Sequence, residues 1–336
     1  MTTHSTPPVL SLPGATPELM AHLQDGLARV DALLRTVVDH EDPFIAAASS
    51  HLAQAGGKRF RPLLTLLSAE LGEGVTDDVV RAAAGVELTH LASLYHDDVM
   101  DEAEVRRGVP SANAVYDNST AILVGDLLFG KASELIAGLG AEAVLIQAQT
   151  FVRLCSGQIR DDRPCPPGVD PVDYYLGVLA DKTGSLTATA CRYGAMFSGG
   201  SPELVETMRS YGEKVGMTFQ LADDLIDIAS DSEASGKTPG TDLREGVDTL
   251  AVLRAKASTD PADERLLELL HSDLSGDEAA VSEALTLLRQ HPALEAARAE
   301  TYGVAREAQA LLDPLPETPA KTALQTLALS VVERVG

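Results

Sequence analysis

The sequence predicts an all-α protein, and three observations carry that reading. The chain is built mainly from Ala, Leu, Glu, Arg and Val, with few β-branched or aromatic runs. Aromatics make up 4% of its 336 residues and Trp is absent, a composition that favours helix. Apolar residues recur at helical spacing over most of its length. The breaks between these stretches carry turn chemistry: Gly56-Gly57, Gly108-Val109-Pro110, Arg163-Pro164-Cys165-Pro166-Pro167-Gly168 and Ser198-Gly199-Gly200-Ser201.

Residues 1–17 are rich in Pro, Ser and Thr and read as a flexible arm, with 18–336 as one domain. The periodicity predicts helices over 18–38, 43–55, 60–71, 76–103, 111–117, 120–138 and 141–160. After the Pro-rich break come 170–180, 182–196 and 201–229. The stretch 230–248 reads as a long Gly/Ser/Asp-rich loop, of a length that commonly serves an active site. Helices over 248–256, 262–270, 277–289, 292–312 and 318–335 complete the chain. The acidic, broken stretch 257–284 is expected to be peripheral.

With 26 basic and 50 acidic residues, the formal charge is −24. Such a field disfavours nucleic acid and anionic lipid as bulk partners. Cys155, Cys165 and Cys191 show no metal-ligand spacing and suit a reducing compartment. No secretory signal and no uninterrupted apolar span are visible, so a cytoplasmic protein is expected.

Two aspartate-rich runs share one form: Asp97-Asp98-Val99-Met100-Asp101 and Asp223-Asp224-Leu225-Ile226-Asp227. In each, the first and last carboxylates stand at i and i+4, on one face of a helix. Two such faces opposed across a bundle would repel unless divalent cations lay between them. Hard oxygen donors of this kind suit Mg²⁺, which completes its shell with water and substrate phosphate. A lone acidic run is ordinarily a solvated helix end. Here Leu88, Leu91 and Leu94 precede the first run, and Arg106-Arg107 follow within two turns. Gly56-Gly57-Lys58-Arg59-Phe60-Arg61-Pro62 sets three cations at a helix start, where they are unfavourable without a bound anion. Gly212 and Gly216 precede the second run on its own face, for either close helix packing or a cavity. His51 and His96 are read as structural.

The set GGKRFRP, HLASLYHDDVMDEAEVRRG, DKTGSL, FQLADDLIDI and GKTPGTDLREG resembles the trans-isoprenyl diphosphate synthases, or polyprenyl synthetases, in order from about residue 43 to 250. The resemblance implies a single-domain antiparallel helical bundle around a deep central cavity, usually a homodimer. It implies that Asp97, Asp101 and Asp223 hold Mg²⁺, three ions per site, with Asp98 and Asp227 completing the metal-binding set. It places Lys58, Arg61, His90 and Arg107 on the diphosphate of isopentenyl diphosphate. Arg106, Lys182 and Lys237 fall on the allylic diphosphate, and Thr183 and Gln220 beside the developing cation. Two departures stand out: Val247 replaces a frequent Lys, with Arg244 a possible substitute, and Gln158 replaces a frequent Glu.

In members of this family a bulky aromatic four or five residues before the first Asp stops chain growth. Ser93 and Ala92 occupy those positions here, and Gly85 and Val86 lie farther down. With Gly212 and Gly216 taken to open the other wall, the resemblance implies a long product of the kind used for menaquinone side chains. Phe129, Ile136, Ala148 and Phe151 are candidates for the cavity floor. Alternatives are a short-chain synthase, a class I terpene cyclase, or a non-catalytic synthase subunit. Lipophilic products imply at most transient membrane contact.

Overall fold

A computed structural model of the chain describes residues 12–230 and 239–333. The helices run α1 (Pro17–Val38), α2 (Pro43–Gln54), α3 (Phe60–Ala69) and α4 (Asp77–Met100). A two-stranded antiparallel ladder follows, β1 (Val105–Arg106) with β2 (Val109–Pro110). Next come α5 (Ala112–Tyr116), α6 (Asn118–Ala137), α7 (Ala141–Asp161) and α8 (Pro171–Leu179), then a π-helical turn (Ala180–Gly184), α9 (Ser185–Phe197) and α10 (Pro202–Ala229). Beyond 239 lie α11 (Thr241–Glu245), α12 (Leu250–Lys256), α13 (Glu264–Leu270), α14 (Glu278–Gln290), α15 (Pro292–Leu311) and α16 (Pro319–Glu333).

Local sequence sets the helix starts. Thr16-Pro17, Asp42-Pro43, Asp170-Pro171 and Ser201-Pro202 each pair a capping side chain with proline at the first helical position. The cap accepts an otherwise unpaired N–H, and proline has none to lose.

Helix α4 is central, packing against α1, α3, α6 and α9, and is buried along most of its length. Helix α10 packs on α9, α15 and α16. Helix α9 descends between the two acid-bearing helices. Its deep end places Tyr193 in one apolar cluster with Ala82 and Val86 of α4. Its upper half and the π turn above it lie against α10, where Gly216 meets Gly184 and Gly212 meets Thr187 and Ala188.

Four expectations change. Residues 1–11 of the arm lie outside the described residues, but Leu12 is buried and Thr16 caps α1, so the packed chain begins before residue 18. The loop expected over 230–248 contains α11, and 231–238 lie outside the described residues. The break near residue 181 is a π turn inside one continuous rod from 171 to 197. The 106–109 hairpin was read only as a turn. Its central residues Arg107 (φ 55°) and Gly108 (φ 76°) both take positive φ, as the tightest hairpins require.

Candidate active site

Both acidic runs end their helices toward one site. Lys182, on the π turn, feels the carboxylates of Asp97 and Asp101 and donates to Asp161 at 2.6 Å. Glu245 lies between the clusters: burial, Asp101 and Asp227 raise its pKa, while Lys182 opposes them. A cleft of about 980 Å³ opens here, lined by Asp101, Asp161, Tyr175, Lys182 and Glu245 among others.

The helical step of about 100° divides each run. Asp97 is half-buried, and burial pushes its carboxyl up to about 6. Lys182 opposes that shift and the charges of Asp101 and Asp98 add to it. Asp101 is exposed, 3.8 Å from Arg106. Asp98 does not share their face. It is fully enclosed, with one oxygen on Arg106 Nε and the other without a protein partner. Asp98, expected in the metal-binding set, holds Arg106 in place through one of its oxygens.

In the second run Asp223 is half-buried and Asp224 is buried. Asp224 accepts from the Tyr175 hydroxyl and, at 2.9 Å, from Gln220 Nε2. Burial lifts Asp224 to about 6 against those two hydrogen bonds. Asp227 accepts the backbone N–H groups of Thr241 and Asp242, both at 3.1 Å, tying α10 to α11. Gln220 is thus engaged with Asp224 in this arrangement.

Beside Asp97 lies a cationic group. His90 is surrounded by Arg61, Arg107, Arg106 and Arg59; burial and their repulsion hold its pKa well below the usual range. Burial and Arg107 lower Arg61 despite Glu87 and Asp97, and its Nε is buried without a protein partner. Lys58 is exposed. Arg59, at φ 47°, is neutralised by Asp31 and buried Glu87, each at 2.9 Å. Arg107 donates to Leu52 O and Gly56 O and lies against Gly57 (φ +143°), where any side chain would strike its guanidinium. Uncompensated cations therefore abut carboxylates that are themselves short of counter-charge, so the site has room for an anion and a cation together.

Thr183 is half-buried on the π turn beside Lys182. Lys237 lies outside the described residues. Arg244 does not replace the family's Lys: it forks onto Glu278 of α14 at 2.8 and 2.7 Å and donates to Pro239 O. His51 and His96 are structural as expected, bonding Pro110 O and Ile122 O, and His96 fills the space beside Gly125. Asp161, Tyr175 and Glu245 were not foreseen. Asp161 had a signal, a second acidic pair closing α7. Tyr175 and Glu245 had none without their long-range neighbours.

Two of the walls expected to be open are closed. Gly212 and Gly216 face the backbone of α9 and the π turn, where a methyl would come within 2.8 Å of Ala188 Cα and 2.9 Å of Gly184 Cα. They serve close packing and open no wall. At Gly85 a methyl would meet Ile136 Cδ1 at 2.7 Å. Ala148 is exposed and cannot form a floor. Ala92 is buried, and Ser93 is half-buried with its hydroxyl on His90 O. Phe129 and Phe151 stack at 3.9 Å between α6 and α7. Gly125 is level with His96 and Ile136 with Gly85, which sets Phe129 about one helical turn below Asp97.

The sequence matches the polyprenyl synthetase family over residues 42–288. It is 48% identical over 317 residues to nonaprenyl diphosphate synthase of Mycobacterium tuberculosis, covering 94% of each chain. Geranylgeranyl pyrophosphate synthase from Corynebacterium glutamicum, solved with calcium and isoprenyl diphosphate, is similar at TM-score 0.87 and 43% identity, covering 97% of this chain and 100% of that one. A decaprenyl diphosphate synthase from Rhodobacter capsulatus is similar at TM-score 0.86 and 35% identity, covering 95% and 99%.

Proposed function

This chain belongs to the polyprenyl synthetase family, and from that membership we propose a Mg²⁺-dependent prenyltransferase that joins isopentenyl diphosphate to an allylic diphosphate and builds a long all-trans chain. The observation that carries the reading is the pairing of half-compensated acidic clusters with a buried, uncompensated cationic group. One diphosphate with its metal fits the first and a bare diphosphate the second.

The donor chemistry fits magnesium. Asp97, Asp101 and Asp223 offer hard carboxylate oxygens, and burial leaves Asp97 short of counter-charge. Among the described residues no three His, Cys, Asp or Glu side chains form a ready metal cage. Asp97 and Asp101 of α4 and Asp223 of α10 would hold such an ion, with water and substrate phosphate supplying the rest of its shell. Bound Mg²⁺ supplies Lewis-acid stabilisation for a departing pyrophosphate. Lys182 and Arg106 add fixed positive charge to that leaving group. Lys58, Arg61 and Arg107 hold the second diphosphate, with His90 neutral and able to donate one hydrogen bond. Thr183 and Gln220 present oxygen dipoles to the developing allylic cation. No strong protein base is required, because pyrophosphate can accept the proton lost after condensation. The remaining contribution is alignment and the exclusion of water.

Small residues at Ala92 and Ser93 support a long product. From Asp97 to Val86 the α4 wall of the shaft spans roughly 16 Å at the helical rise. The stacked Phe129–Phe151 pair favours a second reading, a geranylgeranyl-length product. Purified protein supplied with Mg²⁺, isopentenyl diphosphate and farnesyl diphosphate tests both. Long products are expected from the wild type and longer ones from Phe129→Ala. Arrest at geranylgeranyl length, released by Phe129→Ala, selects the second reading; no elongation at all overturns the enzyme. A homodimer is supported by the exposed apolar ridge Ile122, Leu123, Leu145, Val152 and Ile159 on α6 and α7. Unpaired Cys155, Cys165 and Cys191 support a cytoplasmic location. No described helix is long and apolar enough to cross a membrane.

A further inference from the structure

The π turn at Ala180–Gly184 interrupts an otherwise α-helical rod, and it carries Lys182 and Thr183. Such insertions are rare and cluster at functional sites. Reversion to α-helical winding would shift the register by one residue and swing Lys182 by about 100°. Something must hold the turn.

The structure shows one side chain joined to everything around it. Arg153 of α7 donates through Nε to Asp181 Oδ1 at 2.8 Å. One of its terminal amino groups reaches Glu213 Oε1 of α10 at 2.5 Å and Ala180 O at 3.4 Å. Arg160 completes Asp181 from α7 at 3.1 Å, and Arg209 completes Glu213 at 3.0 Å. The Gly157 backbone lies directly on the same turn: a methyl there would come within 2.9 Å of the Asp181 carbonyl carbon and nearer still to Lys182 N. A single planar fork therefore ties α7, the π turn and α10 together, a geometry that a lysine cannot reproduce. Arg153 is 38% exposed, and an ordinary pair so placed adds little to stability. Its three-way arrangement around the residue preceding Lys182 points to alignment.

We propose that Arg153 is a positioning residue, which holds the π turn through Asp181 and Glu213 so that Lys182 meets the allylic diphosphate. This rests on the prenyltransferase reading. Wild-type elongation is therefore measured first, and its absence sinks that reading rather than this one. With an active wild type, Arg153→Met should raise the allylic KM and lower kcat by about tenfold to a hundredfold, the cost of a small misplacement. The KM for isopentenyl diphosphate should stay within about twofold. Because Arg153 acts through Lys182, adding Arg153→Met to Lys182→Met should cost little more than Lys182→Met alone. Arg153→Lys should recover only part of the loss. If Arg153→Met does not fold, the isosteric Glu213→Gln carries the same comparison with a smaller selective effect, about threefold. A lower unfolding temperature with both KM values and kcat unchanged overturns the proposal, as does full additivity with Lys182→Met.

Discussion

The two acidic runs are spelled alike and anchored differently. In both, the second aspartate turns inward and binds the protein, and the first stays half-buried on a different side of the helix. The inward partner of Asp98 is Arg106, which also approaches Asp101, and Asp101 remains exposed. The inward partners of Asp224 are Tyr175 of α8 and Gln220 of its own helix. Asp227, counterpart of Asp101, is committed to the first amides of α11. The first run is thus an electrostatically unfinished surface whose inward anchor is a cation, Arg106, that also approaches Asp101. The second is a scaffold junction joining α8, α10 and α11. Identical side chains at identical spacing acquire different duties from the elements they meet.

Four measurements break or sharpen this contrast. The largest effect belongs to the outward carboxylates. Changing Asp97 and Asp223 together to Ala should reduce turnover by roughly a thousandfold or more, as removing the principal charge stabilisation of a reaction does. The unfolding midpoint without substrate should barely move, and chelation of divalent metal should copy the loss until Mg²⁺ is restored. Undiminished turnover would erase the distinction between outward and inward residues. Next, Tyr175→Phe strips a donor from buried Asp224 and should cost about 1–3 kcal/mol in urea unfolding. A loss of activity with unchanged stability would move Asp224 into the chemistry. Third, Asp98→Asn releases Arg106 from its charged partner. The expected change is roughly 1 kcal/mol, seen as about a fivefold rise in allylic KM; if stability falls and KM does not, Asp98 is merely a core residue. Smallest is Asp227→Ala in the substrate-free protein. Loss of this cap should speed hydrogen exchange at the Thr241 and Asp242 amides by a few-fold, about 1 kcal/mol. Unchanged exchange would remove α11 from the junction.

The fold was legible because helical periodicity and proline-led starts are local properties, and the helices fall within a few residues of expectation. The outward aspartates were legible for the same reason, since i and i+4 determine a face. Inward roles were not. Nothing local distinguishes Asp98 from Asp97, and Arg106 and Tyr175 become neighbours only through a hairpin and a separate helix. The π turn was missed because one extra residue in a helix leaves no compositional mark. Gly212 and Gly216 read equally as cavity or contact until α9 was known to lie against them. Phe129 and Phe151 could be proposed as a floor from size, but not as a stacked pair.

The glycine contact between α9 and α10 has a consequence for how such a protein can diversify. The glycines of α10 lie against the backbone of Thr187, Ala188 and Gly184 and the small side chains of Thr187 and Cys191, so that contact has little to trim and little freedom to spread. Helices α6 and α7 touch far less and are separated by two aromatic rings. Room for larger or smaller occupants is therefore more readily made by substitutions on the α6–α7 flank than against α10.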